Sequence, residues 1–294
     1  MNDLWRTIPT KKSVDDDSKK ILFPEEPQEN ILYFIEKNAP LLEPWQREIV
    51  RIVRKIAQYF YPQGQTKVMN EGWASFWHYT LLNQLYDEGL VTDELMLEVL
   101  QNHTNVIYQV PFDNPHYSGI NPYTLGFHMM QDIRRMAESP TEEDTIWFPH
   151  LVNTNWITTL DFAMRNFKDE SFIAQYLSPK LIRDLKLFSI LDDDTQPDYV
   201  VSAIHDEHGY QHVRTVLSRQ YDLGYIEPNI QVVKVDVQGN RALYLQHQQQ
   251  DRRPLLDKSE EVMRHVYRLW GFPVHLDSVD PSGQTTAQYQ CPLK

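Results

Sequence analysis

The sequence predicts an α+β protein: an N-terminal all-α helical domain followed by a small ββαββαβ module. Two observations carry this. From Glu29 to about residue 185 the apolar residues recur at three- and four-residue spacing, between proline, asparagine and serine punctuation typical of helix ends. After Lys186 the period falls to two, as half-buried strands require. The expected division is a partly disordered connector over 1–28, a helical domain over 29–185, an α+β C-terminal module over 186–279 and a flexible tail over 280–294.

Residues 10–29 are polar and charged with two prolines, and Ile21, Leu22 and Phe23 are their one apolar run that could dock. The fragment "NDLWRT" before them has nothing adjacent to pack on, as if the chain began within something longer. The first helix carries Ile31, Leu32, Phe34 and Ile35 and ends by Pro40. A second starts at Pro44 and runs to about Phe60, with Trp45, Ile49, Ile52, Val53 and Ile56 expected inward and Pro62 as its stop. A third spans about Asn70 to Tyr86, and a fourth follows Thr92 as N-cap. "HTNVIYQVPFDNPHYSGI" reads as a loop, and Asn121-Pro122 opens the next helix. Further helices are expected over 154–167, 169–177 and 178–185. In the second half, "KLFSILDDD" and "DYVVSAIHD" read as strands and "GYQHVRTVLSRQYDL" as a helix. "IQVVKVDV" and "RALYLQHQ" form a hairpin across Gln238-Gly239-Asn240, "SEEVMRHVYRLWG" a helix and "PVHLDSV" a last strand.

Composition narrows the function classes. A hydrophobic content of 41% over 294 residues supports a real core. A net charge of −13 argues against a general phosphate-binding surface, so nucleic acid is not an expected partner. The single cysteine, Cys291, excludes an internal disulfide and a cysteine-based zinc cage, which favours a cytoplasmic location. No apolar run approaches the ~20 residues of a membrane span.

Glu71 is the sharpest residue, a carboxylate opening a helix whose next turns carry Trp73, Phe76, Trp77 and Tyr79. A buried carboxylate must be paired, hydrogen-bonded or metal-bound. Glu71 and His78 project from one helix face with Cα atoms about 10 Å apart, enough for a ligand and a more distant supporting group. The plainer reading makes Glu71 the partner of Arg47, Arg51 or Arg134 and His78 a core histidine. His128 and Asp132 stand at i and i+4, where a carboxylate can hold an imidazole in one tautomer; the plainer reading is a surface pair. Asn114, His116, Tyr117, Asn121 and Tyr123 add a polar, aromatic set before them. Gly72 and Gly126 permit the two helices to approach closely, so Glu71, His78, His128, Asp132 and the 114–123 loop are expected to share one pocket. His205, His208 and His212 lack the order of a zincin motif, and Arg47, Arg51, Arg54 and Lys55 read as a solvated face. Dinucleotide, P-loop and nucleophile-elbow signatures are absent.

The blocks "PQENILYFIEKNAPLLEPWQREIVRIVRKIAQYFYPQGQTKVMNEGWASFWHY", "HTNV", "SGINPYTLGFHMMQDI", "SPTEED" and "FKDESFIAQYLSPK" closely resemble the stage V sporulation protein R (SpoVR) family, in order and from about Leu4 into the C-terminal module. The resemblance implies a role in forming the spore cortex in spore-formers and in stationary-phase or stress physiology elsewhere, with a serine protein kinase or an envelope-assembly factor as protein partner. It also implies that this chain is the C-terminal part of a longer member. "NEGWASFWH" further resembles the Glu-bearing helix of gluzincin-type metallohydrolases, which implies Glu71 as a zinc ligand, His78 nearby, and two histidines from an upstream region. Two functions therefore stand. One is a metal-dependent hydrolase with Glu71 and His78 at a divalent metal such as zinc and His128, Asp132 and Tyr123 toward substrate, this chain alone being inactive. The other is a non-enzymatic regulatory scaffold.

Overall fold

The computed structural model describes residues 30–188, 207–251, 253–256 and 258–292. They form an α+β protein of two compact units, one comprising the described residues up to Arg54 and from Pro228 onward, the other residues 55–227. The elements are α1 (Ile31–Asn38), α2 (Pro44–Gly64), α3 (Lys67–Asp87), α4 (Asp93–Val106), α5 (Pro122–Glu138), α6 (Glu142–Trp147), α7 (Trp156–Asn166), α8 (Asp169–Tyr176), α9 (Pro179–Asp184), α10 (Glu207–Tyr221), α11 (Leu223–Ile226), β1 (Asn229–Val235), β2 (Leu243–Gln248), α12 (Ser259–Trp270), β3 (Val274–Val279) and β4 (Thr285–Cys291).

The helical unit is organised on α5. Asn121 opens it by accepting a hydrogen bond from the Tyr123 N–H, with Pro122 in the first turn where no donor is needed. Leu125, Met129, Met130, Ile133 and Met136 are fully buried along it, against Val68, Met69 and Phe76 of α3 and Phe172 and Ile173 of α8. Thr92, Asn155 and Ser178 cap α4, α7 and α9 with their side chains. α6, which the periodicity does not announce, is closed by a capping box between Thr141 and Asp144.

The other unit is a four-stranded sheet in the order β1-β2-β3-β4. β1 and β2 pair antiparallel across the expected turn, β2 and β3 pair parallel through the α12 crossover, and β4 adds an antiparallel edge. α12 lays Met263 and Trp270 inward, and Trp270 donates its indole N–H to the Arg241 carbonyl at 2.8 Å. α1 belongs here, with Phe34 stacked on Trp270 at 5.8 Å. Its Glu36 is buried and accepts from Arg54 at 3.0 Å.

Four expectations are corrected. The compact units meet at 54/55, inside the expected helical domain, and at 227/228 instead of near 186, where α10 buries Tyr210, Val213 and Leu217 in the helical core. The tail is not all flexible: residues 285–291 form β4, whose weak apolar alternation suits an edge strand. Pro62 lies inside α2, which continues to Gly64. The side chains of α2 expected inward face solvent, with Trp45 63% exposed and Ile49, Val53 and Ile56 each 51% exposed, while Val50 and Arg54 are buried instead. The strands expected within 189–206 lie outside the described residues. Among the described residues no helix is long and apolar enough to cross a membrane.

Candidate functional site

Two glycines set the crossing of α3 and α5. A Cβ on Gly72 would stand 2.5 Å from Cα of Gly126, and one on Gly126 would stand 2.1 Å from the Val68 carbonyl oxygen. No larger residue fits either position without moving a helix. The crossing brings Glu71, which is half-buried, to Tyr123, whose hydroxyl donates to the carboxylate; that bond pushes the phenol pKa up. Arg47, Arg51 and Arg134 are engaged elsewhere, on the Glu36 carbonyl, Glu48 and Glu138, so none is the partner of Glu71.

The start of α3 is held from a distance. Thr66 makes no side-chain cap bond. The Asp169 carboxylate at the first turn of α8 accepts instead from the N–H groups of Val68 at 2.8 Å and Met69 at 2.9 Å. These are among the donors every helix start leaves unpaired, at the positive end of its dipole. Asp169 is fully buried, and burial pushes its carboxyl up to about 6 against the pull of those backbone bonds.

His78 is exposed and stacks on His103 of α4 with ring centres 6.3 Å apart. His103 is 6% exposed, packed by Phe127 at 4.7 Å and Tyr79 at 5.1 Å, and its Nε2 has no hydrogen-bond partner. Burial, then the neighbouring imidazoles of His78 and His128, lower its pKa. This residue was missed in the sequence, although it lies in the "HTNV" block; a lone histidine at a helix end carries no local signal of burial.

His128 lines a groove of about 690 Å³ between α3, α5 and α9, with Asn83, Asp87, Gln131, Arg134, Lys180 and Asp184 around it. Burial lowers its pKa, Asp184 and Asp132 raise it and Lys180 lowers it. The expected hydrogen bond from His128 to Asp132 is not made among the described residues. Asp132 is 4% exposed and accepts from Arg135 Nε at 2.7 Å and Ser178 Oγ at 2.5 Å, because a guanidinium neutralises a buried carboxylate as a neutral imidazole cannot. Arg135 also donates to both oxygens of Asp144, at 2.6 and 2.8 Å. Burial alone would raise Asp144; its bonds from Arg135 and Thr141 outweigh that and lower it to about 2. In the loop before α5, Asn121 donates to the Val106 and Tyr108 carbonyls and Asn114 accepts from the His116 N–H, so these two side chains close the loop itself. A comparable groove of about 670 Å³ lies beside α12, β3 and β4, and of the residues singled out in the sequence it gathers Cys291 alone.

The donors proposed for a metal do not converge. Among the described residues no three or more His, Cys, Asp or Glu side chains are placed to hold an ion. Glu71 is engaged by Tyr123, and His78 lies against His103. These residues do not by themselves fit a zinc site.

A helical unit built on an α3/α5 glycine crossing, followed by a small mixed sheet, corresponds to two matched families: SpoVR like protein over residues 1–226 and SpoVR-like C-terminal domain over residues 228–281. The chain belongs to the SpoVR-like family. It carries both regions, which is broader than the C-terminal part alone that its sequence suggested; their junction coincides with one boundary of the compact units, while the other, at 54/55, lies inside the first match. A curated relative, "Uncharacterized protein YcgB" of Escherichia coli (strain K12), is 56% identical over 292 residues, covering 99% of this chain. The chain spans 57% of that relative's length. No solved structure matches it.

Proposed function

We propose that this chain serves the SpoVR-like family as a non-enzymatic docking module, whose α3/α5/α9 groove holds a polypeptide segment of a protein partner. The observation that carries the reading is how the expected acid–base groups are spent. Asp132 is committed to Arg135 and Ser178, and Glu71 to Tyr123. What remains in the groove is His128 among amides and charges of both signs, a lining suited to peptide groups and mixed side chains. The partner implied by the family resemblance is a serine protein kinase or an envelope-assembly factor, in spore cortex formation or stationary-phase physiology.

Calorimetric titration of the chain with such a kinase tests this. Micromolar or tighter binding, weakened at least tenfold by the pair His128→Ala and Asn83→Ala, is the expected result. The metal-dependent hydrolase is the second reading, favoured by the unpartnered Nε2 of His103 beside His78. It requires ligands beyond those gathered here. Stoichiometric metal in the purified longer relative, lost on replacing the residue equivalent to Glu71 by alanine, would displace the docking reading in its favour.

A further inference from the structure

α2 turns its apolar face outward. Trp45, Ile49, Ile52, Ile56 and Tyr59 recur at alternating four- and three-residue steps, and Val53 and Phe60 flank them; all seven are between 45% and 69% exposed. That 3.5-residue period is the seam of paired helices, not the wider stripe of a helix lying on its own core. The fold uses the other side of the helix, where Val50 and Arg54 are buried and Arg47 donates to the Glu36 and Ala39 carbonyls. With the three aromatic side chains offering on the order of 150–250 Å² each and the four aliphatic ones less, the seven at about half exposure present roughly 600 Å². A typical monomer's largest apolar patch is about 300–600 Å².

We propose that this face binds a second copy of the chain, the two α2 helices packing antiparallel across a two-fold axis near Ile52. Two observations select that occupant. The area is the larger part of the ~800 Å² that each partner contributes to a standard stable interface. The charges beside the seam are also self-complementary in this direction alone. Glu48 and Lys55 lie seven residues apart along one edge of the stripe, either side of Ile52. An antiparallel two-fold sets Glu48 of one copy opposite Lys55 of the other, whereas a parallel pair sets Glu48 beside Val53 and Lys55 beside Phe60 and leaves both charges without a complement. Glu48 already bonds Arg51 on its own helix, which keeps its carboxylate at the rim of the seam.

Sedimentation velocity on the full chain from 1 to 100 μM decides the matter. The expected species has twice the 34.9 kDa mass of one chain. Ile52→Glu, which brings two like charges together at the axis, is expected to leave only monomer; because the side chain is exposed, circular dichroism and melting temperature should not change. Glu48→Lys should weaken the dimer about tenfold, and adding Lys55→Glu should restore it. A chain that stays monomeric at 100 μM, whether because another protein or nothing covers the face, overturns the proposal. So does a dimer indifferent to Ile52→Glu. A charge swap that fails to restore the dimer overturns the antiparallel pairing.

Discussion

Gly72 and Gly126 meet backbone to backbone where α3 crosses α5, so closely that a methyl group on Gly126 would stand 2.1 Å from the Val68 carbonyl oxygen. The obstacle is main chain on both sides, so no rotamer change relieves it. Gly126→Ala is therefore expected to cost about 3 kcal/mol, at the upper end of overpacking, and to lower the melting temperature by roughly 10 °C. Thermal unfolding measures this, and an unchanged melting temperature would show that the helices do not cross there. The same displacement would part Glu71 from Tyr123. The phenol pKa of Tyr123, now held up by that bond, should fall in the variant.

Asp169 links the start of α8 to the start of α3, about a hundred positions earlier in the chain, through the Val68 and Met69 N–H groups. Asp169→Ala leaves two buried donors unpaired and should cost about 2 kcal/mol at pH 7. The pH dependence has a definite sign. The folded carboxyl is raised from 3.8 to about 6, so the folded state holds the proton more tightly across that window. Its contribution to stability falls as pH rises from 3.8 to 6. Asp169→Asn keeps one acceptor and removes the titration, so the stability difference between the native chain and this variant should slope over pH 4–6 and flatten above it. Denaturant unfolding at several pH values measures the slope, and parallel profiles would refute it.

The glycine crossing was legible in the sequence, because two glycines inside helical patterns have few uses other than close approach. The opening of α5 at Asn121-Pro122 was legible for an equally local reason, the side-chain cap and the spare donor. Asp169 was not, since a cap supplied from another helix leaves no mark near the helix it caps. α2 shows a different limit. Its period identified an apolar face correctly, but periodicity cannot say whether the chain's own core or another molecule covers that face, and Trp45 and Ile56 are exposed. For His128 and Asp132 the spacing was right and the partner wrong, because Ser178 and Arg135 compete for the same carboxylate.

Arg135 neutralises two buried carboxylates, Asp132 and Asp144, which are 4% and 2% exposed. Arg135→Ala leaves both charges without a cation and should cost about 3–5 kcal/mol at neutral pH, the range for breaking a buried pair. Asp144 is depressed from 3.8 to about 2, so the stability it contributes is fully present above pH 3.8 and is lost as pH falls toward 2. In the variant the Asp144 carboxylate loses the bonds that hold it down while burial still pushes it up, so it takes up a proton on milder acidification. The stability gap between native chain and variant should therefore narrow from pH 7 to pH 4, and a gap independent of pH would show that Arg135 acts through packing alone.

His103 brings the two readings of this protein to a single measurement. Its Nε2 is buried without a partner, and burial together with the His78 and His128 imidazoles lowers its pKa below the ordinary 6.5. The unfolded chain therefore takes up a proton that the folded chain refuses, and stability is lost as pH falls through 6.5 toward the folded value. His103→Phe preserves the ring packing against Tyr79 and Phe127, removes the unpaired nitrogen and removes the titration. It is expected to be as stable as the native chain at pH 8 and more stable at pH 5.5, by the margin that protonating the unfolded histidine supplies. Imidazole resonances followed by NMR should show the His103 midpoint displaced below the ordinary 6.5. If His103→Phe instead destabilises the chain equally at both pH values, Nε2 has a partner in solution. A metal ion there would be recognised by loss of that difference in chelator, and the hydrolase reading would gain the imidazole ligand it lacks.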